Sequence, residues 1–152
     1  MFSEATMHPA LEISYAWEGD ELFVILIRAN NRKFCGEARC YTSREEIGRL
    51  SQEISRFPKS RADEVLFSTQ AGEGVSYFML HFICTDACGH VVVRIKIADI
   101  VHYVNARASN NVAEFELAVD PCSIDTFASE LSKLSSSSGK VGIVTATLNG
   151  NR

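Results

Sequence analysis

The sequence lacks a long hydrophobic segment and an excess of basic residues. The longest uninterrupted apolar run, Leu22–Ile27, has the length of a β-strand and is far shorter than the ~20 residues of a transmembrane helix. The 152-residue chain has 15 lysine and arginine residues against 19 aspartate and glutamate residues, a formal net charge of −4. Because nucleic-acid-binding proteins usually carry a basic surface, we expect this protein to bind neither nucleic acid nor a membrane.

The N-terminal residues and the odd number of cysteines both bear on the expected location of the protein. Residues 1–12 contain no basic segment followed by an apolar segment, so we expect no signal peptide. The five cysteines are Cys35, Cys40, Cys84, Cys88 and Cys122. An odd number of cysteines without an export signal favours reduced thiols and a cytoplasmic location.

One cluster of cysteine and histidine was considered as a metal site. Three residues separate Cys84 from Cys88, and one residue separates Cys88 from His90. A structural zinc site normally has four ligands in two pairs, and the sequence offers no second pair near this one. A simpler interpretation places Cys84 at the end of a strand and Cys88-Gly89 in a hairpin turn. We therefore expect neither a metal nor another cofactor.

Two segments of the chain follow the same plan, in which a predicted strand leads into an amphipathic helix. The first covers residues 34–58 and the second covers residues 113–134. In each helix four apolar residues follow a 3-4-3 spacing, which places their side chains on one helix face. They are Ile47, Leu50, Ile54 and Phe57 in the first helix, and Ile124, Phe127, Leu131 and Leu134 in the second. The sequence therefore indicates an internal repeat of a strand–helix unit.

Local signals mark the beginning of both helices. Thr42 and Ser43 each precede a glutamate by three residues, which is the pattern of a capping box. Asp120 and Pro121 stand where an N-cap and a first helical residue are favoured. Gly36, inside the strand before the first helix, indicates either a β-bulge or a close approach of the backbone to a neighbour.

The remaining pattern predicts the fold class. Alternating apolar and polar residues, with short turns between them, favour antiparallel hairpins. We predict a single α+β domain over residues 1–152, in which a largely antiparallel sheet of about seven strands carries two amphipathic helices on one face. Its core is predicted at about residues 11–135, followed by a Ser/Gly linker at 135–139 and a C-terminal tail at 140–152. The tail could add an edge strand or pair with the sheet edge of a neighbouring molecule.

Two predicted strands, Leu22–Ala29 and Val75–Cys84, are apolar on both faces. Two helices can cover only one face of so wide a sheet, and a monomer rarely exposes a large apolar patch. The sheet must therefore curl to close its own inner face, or a second subunit must cover it. We expect a homodimer, because two-fold dimers are the commonest assembly.

No set of residues in the sequence identifies a catalytic mechanism. Nucleophilic catalysis requires a thiol or hydroxyl beside a base, and the four histidines are scattered at His8, His81, His90 and His102. His81 lies in the middle of a strand that also carries Tyr77, so it could act as a general base in a pocket. A hydrogen-bonded histidine that packs in the core or an interface is the commoner interpretation.

Two carboxylates, Glu114 and Glu116, lie on one face of a predicted strand. General acid–base chemistry would require one of them to be held in a dry pocket. The neighbouring predicted strand presents Arg94 and Lys96 on its polar face. Cross-strand ion pairing is therefore the simpler prediction.

Four segments carry a resemblance to a known group of proteins. They are GEARCY before the first helix, the helix pattern IxxLxxxIxxFP, the strand GHVVVRIKI and the closing AEFELAVDPCSIDTFASELSKL. Together they resemble small uncharacterised bacterial α+β proteins of the toxin-immunity type, including the immunity family of the contact-dependent wall-associated toxin. The resemblance covers roughly residues 11–135 and lies in apolar spacing rather than in polar motifs. It implies a non-enzymatic, cytosolic protein that inhibits a partner by binding it, and it carries over no catalytic residues.

Three functional hypotheses follow. The first is a non-enzymatic protein-binding module that resembles an immunity protein and inhibits a partner toxin. The second is a small-molecule binder or enzyme with a pocket on the sheet face, for which Tyr77 and His81 are the candidate ligand-binding residues. The third is a structural subunit of a homo-oligomer. The acidic composition and the missing catalytic set favour the first.

Overall fold

A computed structural model of the chain describes residues 7–18, 23–69, 74–101, 109–136 and 145–151. Within these ranges the chain forms eight strands and two helices. In chain order they are β1 (Ala10–Glu18), β2 (Phe23–Asn30), β3 (Cys35–Thr42), α1 (Arg44–Ile54), β4 (Glu64–Ser68), β5 (Tyr77–Cys84), β6 (Val91–Val101), β7 (Ser109–Val119), α2 (Pro121–Ser136) and β8 (Thr145–Asn149).

The strands form two antiparallel sheets of four strands each, rather than the single sheet of about seven strands that the sequence predicted. The first sheet has the order β3-β2-β1-β8 and the second has the order β4-β5-β6-β7. The chain changes sheets because β4, which follows α1, pairs with β5 instead of returning to β3. The α+β class and the antiparallel pairing are confirmed.

The element order strand–strand–strand–helix–strand occurs twice along the chain. The first half runs from β1 to β4, and the second half runs from β5 to β8. The last strand of each half pairs with the first strand of the other half: β4 pairs with β5, and β8 pairs with β1. The two halves therefore complete each other's sheets, and the strand–helix units seen in the sequence are β3–α1 and β7–α2.

The sheets contact each other through β3, which packs against β5, β6 and β7. The pairing of β3 with β2 is regular, so Gly36 marks a close approach and not a bulge. A Cβ atom added at Gly36 would lie 2.9 Å from the Cβ of Ala113 and 3.4 Å from the Cβ of Ile97. Glycine is therefore required here by the distance between the two sheets.

The two helices pack against each other, and they complete the core that the sheets share. All eight apolar residues of the two predicted helix faces are buried. The 3-4-3 face is confirmed in full for α2, whereas α1 ends at Ile54, so Phe57 reaches the core from the segment after the C-cap Ser55 and not from the helix. The backbone N–H of Glu46 donates to Ser43 Oγ at 3.1 Å, so Ser43 is the N-cap of α1. Between the helices, the buried Ser51 Oγ donates to the carbonyl of Ala128 at 2.6 Å.

Residues 145–149, which the sequence analysis assigned to a tail, form β8 at the edge of the first sheet. Ala146 and Leu148 of this strand are buried in the shared core. The backbone N–H of Thr147 donates to Glu130 Oε1 of α2 at 3.1 Å. This part of the tail therefore belongs to the folded core, and α2 protects its backbone.

The strands that are apolar on both faces have one face in the core and one on the surface. In β2 and β5 the inner residues are buried, whereas Val24, Leu26, Met79 and Ile83 on the outer faces are half-buried. The inner faces of both sheets belong to one core, which the two helices complete. The outer faces are therefore the surfaces on which contacts with other molecules can be sought.

Candidate binding surface on the second sheet

The outer face of the second sheet combines apolar, aromatic and charged side chains. Because side chains alternate along a strand, the residues between the buried positions point away from the core. We use the term outer face for these residues: Glu64, Leu66 and Ser68 of β4, Tyr77, Met79, His81 and Ile83 of β5, Val92, Arg94 and Lys96 of β6, and Val112, Glu114, Glu116 and Ala118 of β7.

A cross-strand ion pair joins β6 to the edge strand β7 on the outer face. Arg94 Nε donates to Glu116 Oε2 at 2.9 Å, and the register also places Lys96 opposite Glu114. The predicted pairing of these strands is therefore confirmed. Both members of the Arg94–Glu116 pair are exposed, and such pairs contribute at most about 1 kcal/mol to stability. The larger effect of these charged residues is on the charge pattern of the outer face.

Exposed apolar side chains border these charges. Leu66 is 61% exposed and Val112 is 49% exposed, although both lie in regular strands. Tyr77 and Met79 are half-buried beside them, and the Nζ of Lys96 lies 5.7 Å from the centroid of the Tyr77 ring. Aromatic residues, methionine and arginine are enriched at protein–protein interfaces, so this composition is typical of a contact surface.

The two predicted site residues, Tyr77 and His81, both lie on the outer face of β5. Three residues lie between them along the strand, and four residue steps correspond to about 13 Å. His81 Nε2 lies 3.2 Å from Glu64 Oε2, and the residues opposite His81 are Leu66 and Arg94. Leu66 and Arg94 supply neither a nucleophile nor a base, so the Glu64 carboxylate is the one acidic group paired with His81 among the described residues. The structure therefore places the pair on one face but does not join them in one catalytic arrangement.

A separate cavity of about 460 Å³ lies beside the outer face of the first sheet. Arg28 Nε donates to Glu37 Oε1 at 3.0 Å inside it, and Glu12 stands opposite Arg28 on β1. The side chain of Asn30 donates to the carbonyl of His8 at 3.1 Å, which fixes the chain that enters β1. The lining of this cavity comes from the N-terminal segment and four strands, so no local sequence motif could reveal the cavity.

A polar groove of about 590 Å³ lies between α1 and α2. Small residues such as Ser55, Ser129 and Ser132 line it, together with the charged Lys133. The backbone N–H of Arg56 donates to Asp125 Oδ1 at 2.9 Å across this groove. Neither this groove nor the first-sheet cavity is lined by Tyr77 or His81.

The cluster of cysteine and histidine forms the hairpin between β5 and β6. Asp86 Oδ2 lies 2.6 Å from His90 Nδ1, and this hydrogen bond raises the pKa of His90 and lowers the pKa of Asp86. Asp86 Oδ1 accepts the backbone N–H of Cys88 at 2.8 Å, so the carboxylate organises the turn. Among the residues that the structure describes, no three His, Cys, Asp or Glu side chains form a group that could hold a metal ion.

The three histidines that the structure describes do not converge on one site. His8 lines the first-sheet cavity, His81 pairs with Glu64, and His90 pairs with Asp86. His102 lies outside the described residues.

Comparisons with protein-family models, curated proteins and solved structures found no match to this chain. Within the described ranges, neither helix has the length and apolar character needed to cross a membrane. The function must therefore be inferred from the surfaces of the chain itself, and the outer face of the second sheet is the strongest candidate.

Proposed function

We propose that this protein is a non-enzymatic binding module whose partner is another protein, bound through the outer face of the second sheet. The observation that carries this proposal is the exposure of Leu66 in the regular strand β4, on the same face of the sheet as Tyr77, Met79 and Arg94. Burying apolar side chains of this size is favourable by about 25 cal/mol per Å². A partner that covers them gains this free energy.

The shape of the surface favours a macromolecule over a small ligand. Four strands span about 15 Å, and eight residues of a strand extend about 25 Å. This area is roughly half of the ~800 Å² that each partner contributes to a standard interface. The outer face therefore fits the centre of an interface, with adjoining hairpins supplying the rim.

The charges of the outer face favour a partner with both signs of charge. Arg94 and Lys96 alternate with Glu114 and Glu116 across two neighbouring strands. Such a surface selects a partner by local charge complementarity rather than by long-range attraction. The resemblance to toxin-immunity proteins makes a bacterial toxin the first partner class to test, with a cytoplasmic site of action.

The test compares two glutamate substitutions at exposed apolar positions. Leu66→Glu alters the outer face of the second sheet, whereas Tyr41→Glu alters the outer face of the first sheet at a residue that is 54% exposed. Tagged proteins are purified from the organism of origin, and a stoichiometric partner is identified and then titrated by calorimetry. We expect Leu66→Glu to weaken binding at least tenfold, which is about 1.4 kcal/mol, and Tyr41→Glu to leave it unchanged.

Two results would contradict this proposal. One is repeated recovery of the wild-type protein without a stoichiometric partner. The other is a partner whose affinity is the same for the wild-type protein and the Leu66→Glu variant. For a toxin partner, co-expression in a growth assay adds a functional measurement, because loss of binding must also abolish protection.

Small-molecule binding is a second candidate function, and the first-sheet cavity supports it better than the neighbourhood of Tyr77 and His81. Its volume of about 460 Å³ lies in the usual range of ligand sites. Arg28 lies between Glu12 and Glu37 in one row of the sheet, so acidic groups outnumber basic ones there. We expect a ligand with an ammonium or guanidinium group.

A thermal-shift screen with arginine, agmatine and spermidine tests this second candidate. A ligand that binds the folded state raises the melting temperature in a concentration-dependent way. The shift should be lost in Glu12→Gln and kept in Glu53→Gln, which alters an exposed residue of α1. Equal shifts in both variants would exclude the cavity as the binding site.

A further inference from the structure

Strand β7 forms an edge of the second sheet, and its register with β6 is unbroken from Val119 to Ser109. The carbonyl of Glu116 accepts a hydrogen bond from Asn31 Nδ2 at 3.0 Å. The carbonyl of Ala118 accepts one from the backbone N–H of Asn151 at 2.7 Å. Both carbonyls therefore face away from β6, toward the free edge of the sheet.

In an antiparallel strand every second residue directs both backbone groups to the same side. Because the register is unbroken, Asn110, Val112 and Glu114 face the free edge in the same way as Glu116. Among the described residues, none pairs with the backbone groups of these three. One end of the β7 edge is thus capped by the chain's own residues. The outward-facing backbone groups from Asn110 to Glu114 have no partner among the described residues, and we call these five residues the open segment.

Sheet edges are usually protected by charged side chains, proline, bulges or a covering element. The edge of β8 is protected by α2, through the hydrogen bond between Thr147 and Glu130. The open segment of β7 has the sequence NNVAE, with no proline and no bulge and with Glu114 as its one charged residue. It therefore offers a regular template for an added strand.

We propose that the open segment of β7 pairs with the same segment of a second copy of this chain, in an antiparallel register centred on Val112. In this register Val112 lies opposite Val112 of the other copy, and Asn110 lies opposite Glu114. Each of these outward-facing pairs forms two backbone hydrogen bonds. Valine pairs and amide–carboxylate pairs are favourable across strands, and no like charges are opposed.

Neighbouring registers fit less well, so the edge is specifically self-complementary. A register centred on Glu114 opposes two glutamates, which is destabilising. A register centred on Ala113 places Asn110 opposite Glu116, whose carbonyl already accepts from Asn31. Because the segment pairs well with a second copy of itself in one register, a second copy is favoured over an unrelated strand.

The pairing joins two second sheets into one continuous sheet of eight strands. Val112, which is 49% exposed in the single chain, becomes covered by its counterpart. It lies in one row with Tyr77 and Ala98, so the apolar row continues across the dimer axis. The strands β4 and β5 of each copy lie away from this axis, which leaves Leu66 and His81 free for the partner proposed above.

Sedimentation equilibrium of the full-length protein from 1 to 100 μM tests this proposal. We expect the wild-type protein to approach twice the chain mass of 16.8 kDa. Val112→Lys should be monomeric throughout, because two like charges are opposed at the axis. Leu66→Lys is the matched control on the opposite edge strand, and it should dimerise as the wild-type protein does.

A mixture of charge variants separates loss of the interface from loss of the fold. Val112→Glu should also be monomeric by itself, whereas an equimolar mixture of Val112→Lys and Val112→Glu should form a heterodimer. The self-association constant of either variant alone should be at least tenfold lower than that of the wild-type protein. The association constant of the two variants in the mixture should return to the wild-type value. A monomeric wild-type protein at 100 μM, a dimeric Val112→Lys variant, or a mixture that stays monomeric would overturn the proposal.

Discussion

Gly36 of β3 and Ala113 of β7 lie so close that a methyl group at position 36 would be 2.9 Å from the Cβ of Ala113. Carbon atoms in normal contact are about 3.5–4.0 Å apart. Gly36→Ala should therefore force the sheets apart and lower the free energy of unfolding by about 1–3 kcal/mol. Urea denaturation monitored by circular dichroism measures this loss.

The double variant Gly36→Ala/Ala113→Gly tests whether this contact is the cause. Removing the methyl group from position 113 makes room for the one added at position 36, so the two changes should not be additive. We expect the double variant to be more stable than the sum of the two single losses predicts, by a coupling free energy of about 0.5–3 kcal/mol. Simple additivity of the two single losses would show that the contact does not set the distance between the sheets.

Phe127 lies at the centre of the buried face of α2 and has no exposed surface. Phe127→Ala should lower the free energy of unfolding by about 3–5 kcal/mol, because it removes a large buried side chain and leaves a cavity. Phe34→Ala is the matched control, since Phe34 is 61% exposed and its loss should change stability by about 0.5 kcal/mol or less. Similar losses in both variants would contradict the assigned helix face.

The features that the sequence predicted correctly depend on residues that are near each other along the chain. The buried helix faces follow from spacings of three and four residues, and Ser43 caps α1 through an amide three residues ahead. The Arg94–Glu116 pair joins adjacent strands, and it was predicted from alternation along those strands. Spacing within a single element fixes the helix faces and the cap, whereas the Arg94–Glu116 pair also requires that β6 and β7 be neighbours.

The division into two sheets depends on contacts between distant segments. Gly36 indicated a bulge or a close approach in the sequence, but only the folded chain shows that the close neighbour is Ala113 of the other sheet. The edge strand β8 follows a serine-rich segment and has few residues, so its pairing with β1 carried no local signal. The cavity around Arg28 was missed for the same reason, because its walls come from separate strands.

The cysteines should differ strongly in their reactivity. Burial, together with the smaller effect of the nearby charge of Asp99, raises the pKa of the Cys40 thiol to about 12. Because the thiolate is the reactive form, Cys40 should resist alkylation at pH 8, whereas the exposed Cys35 and Cys122 should react. Peptide mapping by mass spectrometry after iodoacetamide treatment of the native protein measures the modification of each site.

Unfolding in guanidinium chloride provides the control for this experiment. Cys40 should then be alkylated at a rate similar to that of Cys35, because the burial that raises its pKa is lost. Modification of Cys40 in the native protein at the rate of Cys35 would contradict its position in the core.

The hairpin pair of Asp86 and His90 should make stability depend on pH. The hydrogen bond raises the pKa of His90 above its ordinary value of 6.5 and lowers the pKa of Asp86 below its ordinary value of 3.8. The contribution of His90 is complete below pH 6.5 and is lost as pH rises through its raised pKa. The contribution of Asp86 is complete above pH 3.8 and is lost as pH falls through its lowered pKa.

Asp86→Asn tests this pair with little change in the shape of the turn. The amide oxygen of asparagine can still accept the backbone N–H groups of Cys88 and His90, whereas the negative charge is removed. The pKa of His90, measured by NMR titration, should therefore fall in the variant. The difference in unfolding free energy between the two proteins should be largest between about pH 4 and pH 6.5 and should diminish above the raised pKa of His90. An unchanged His90 titration, or a stability difference that is constant across this range, would show that the ion pair does not form in solution.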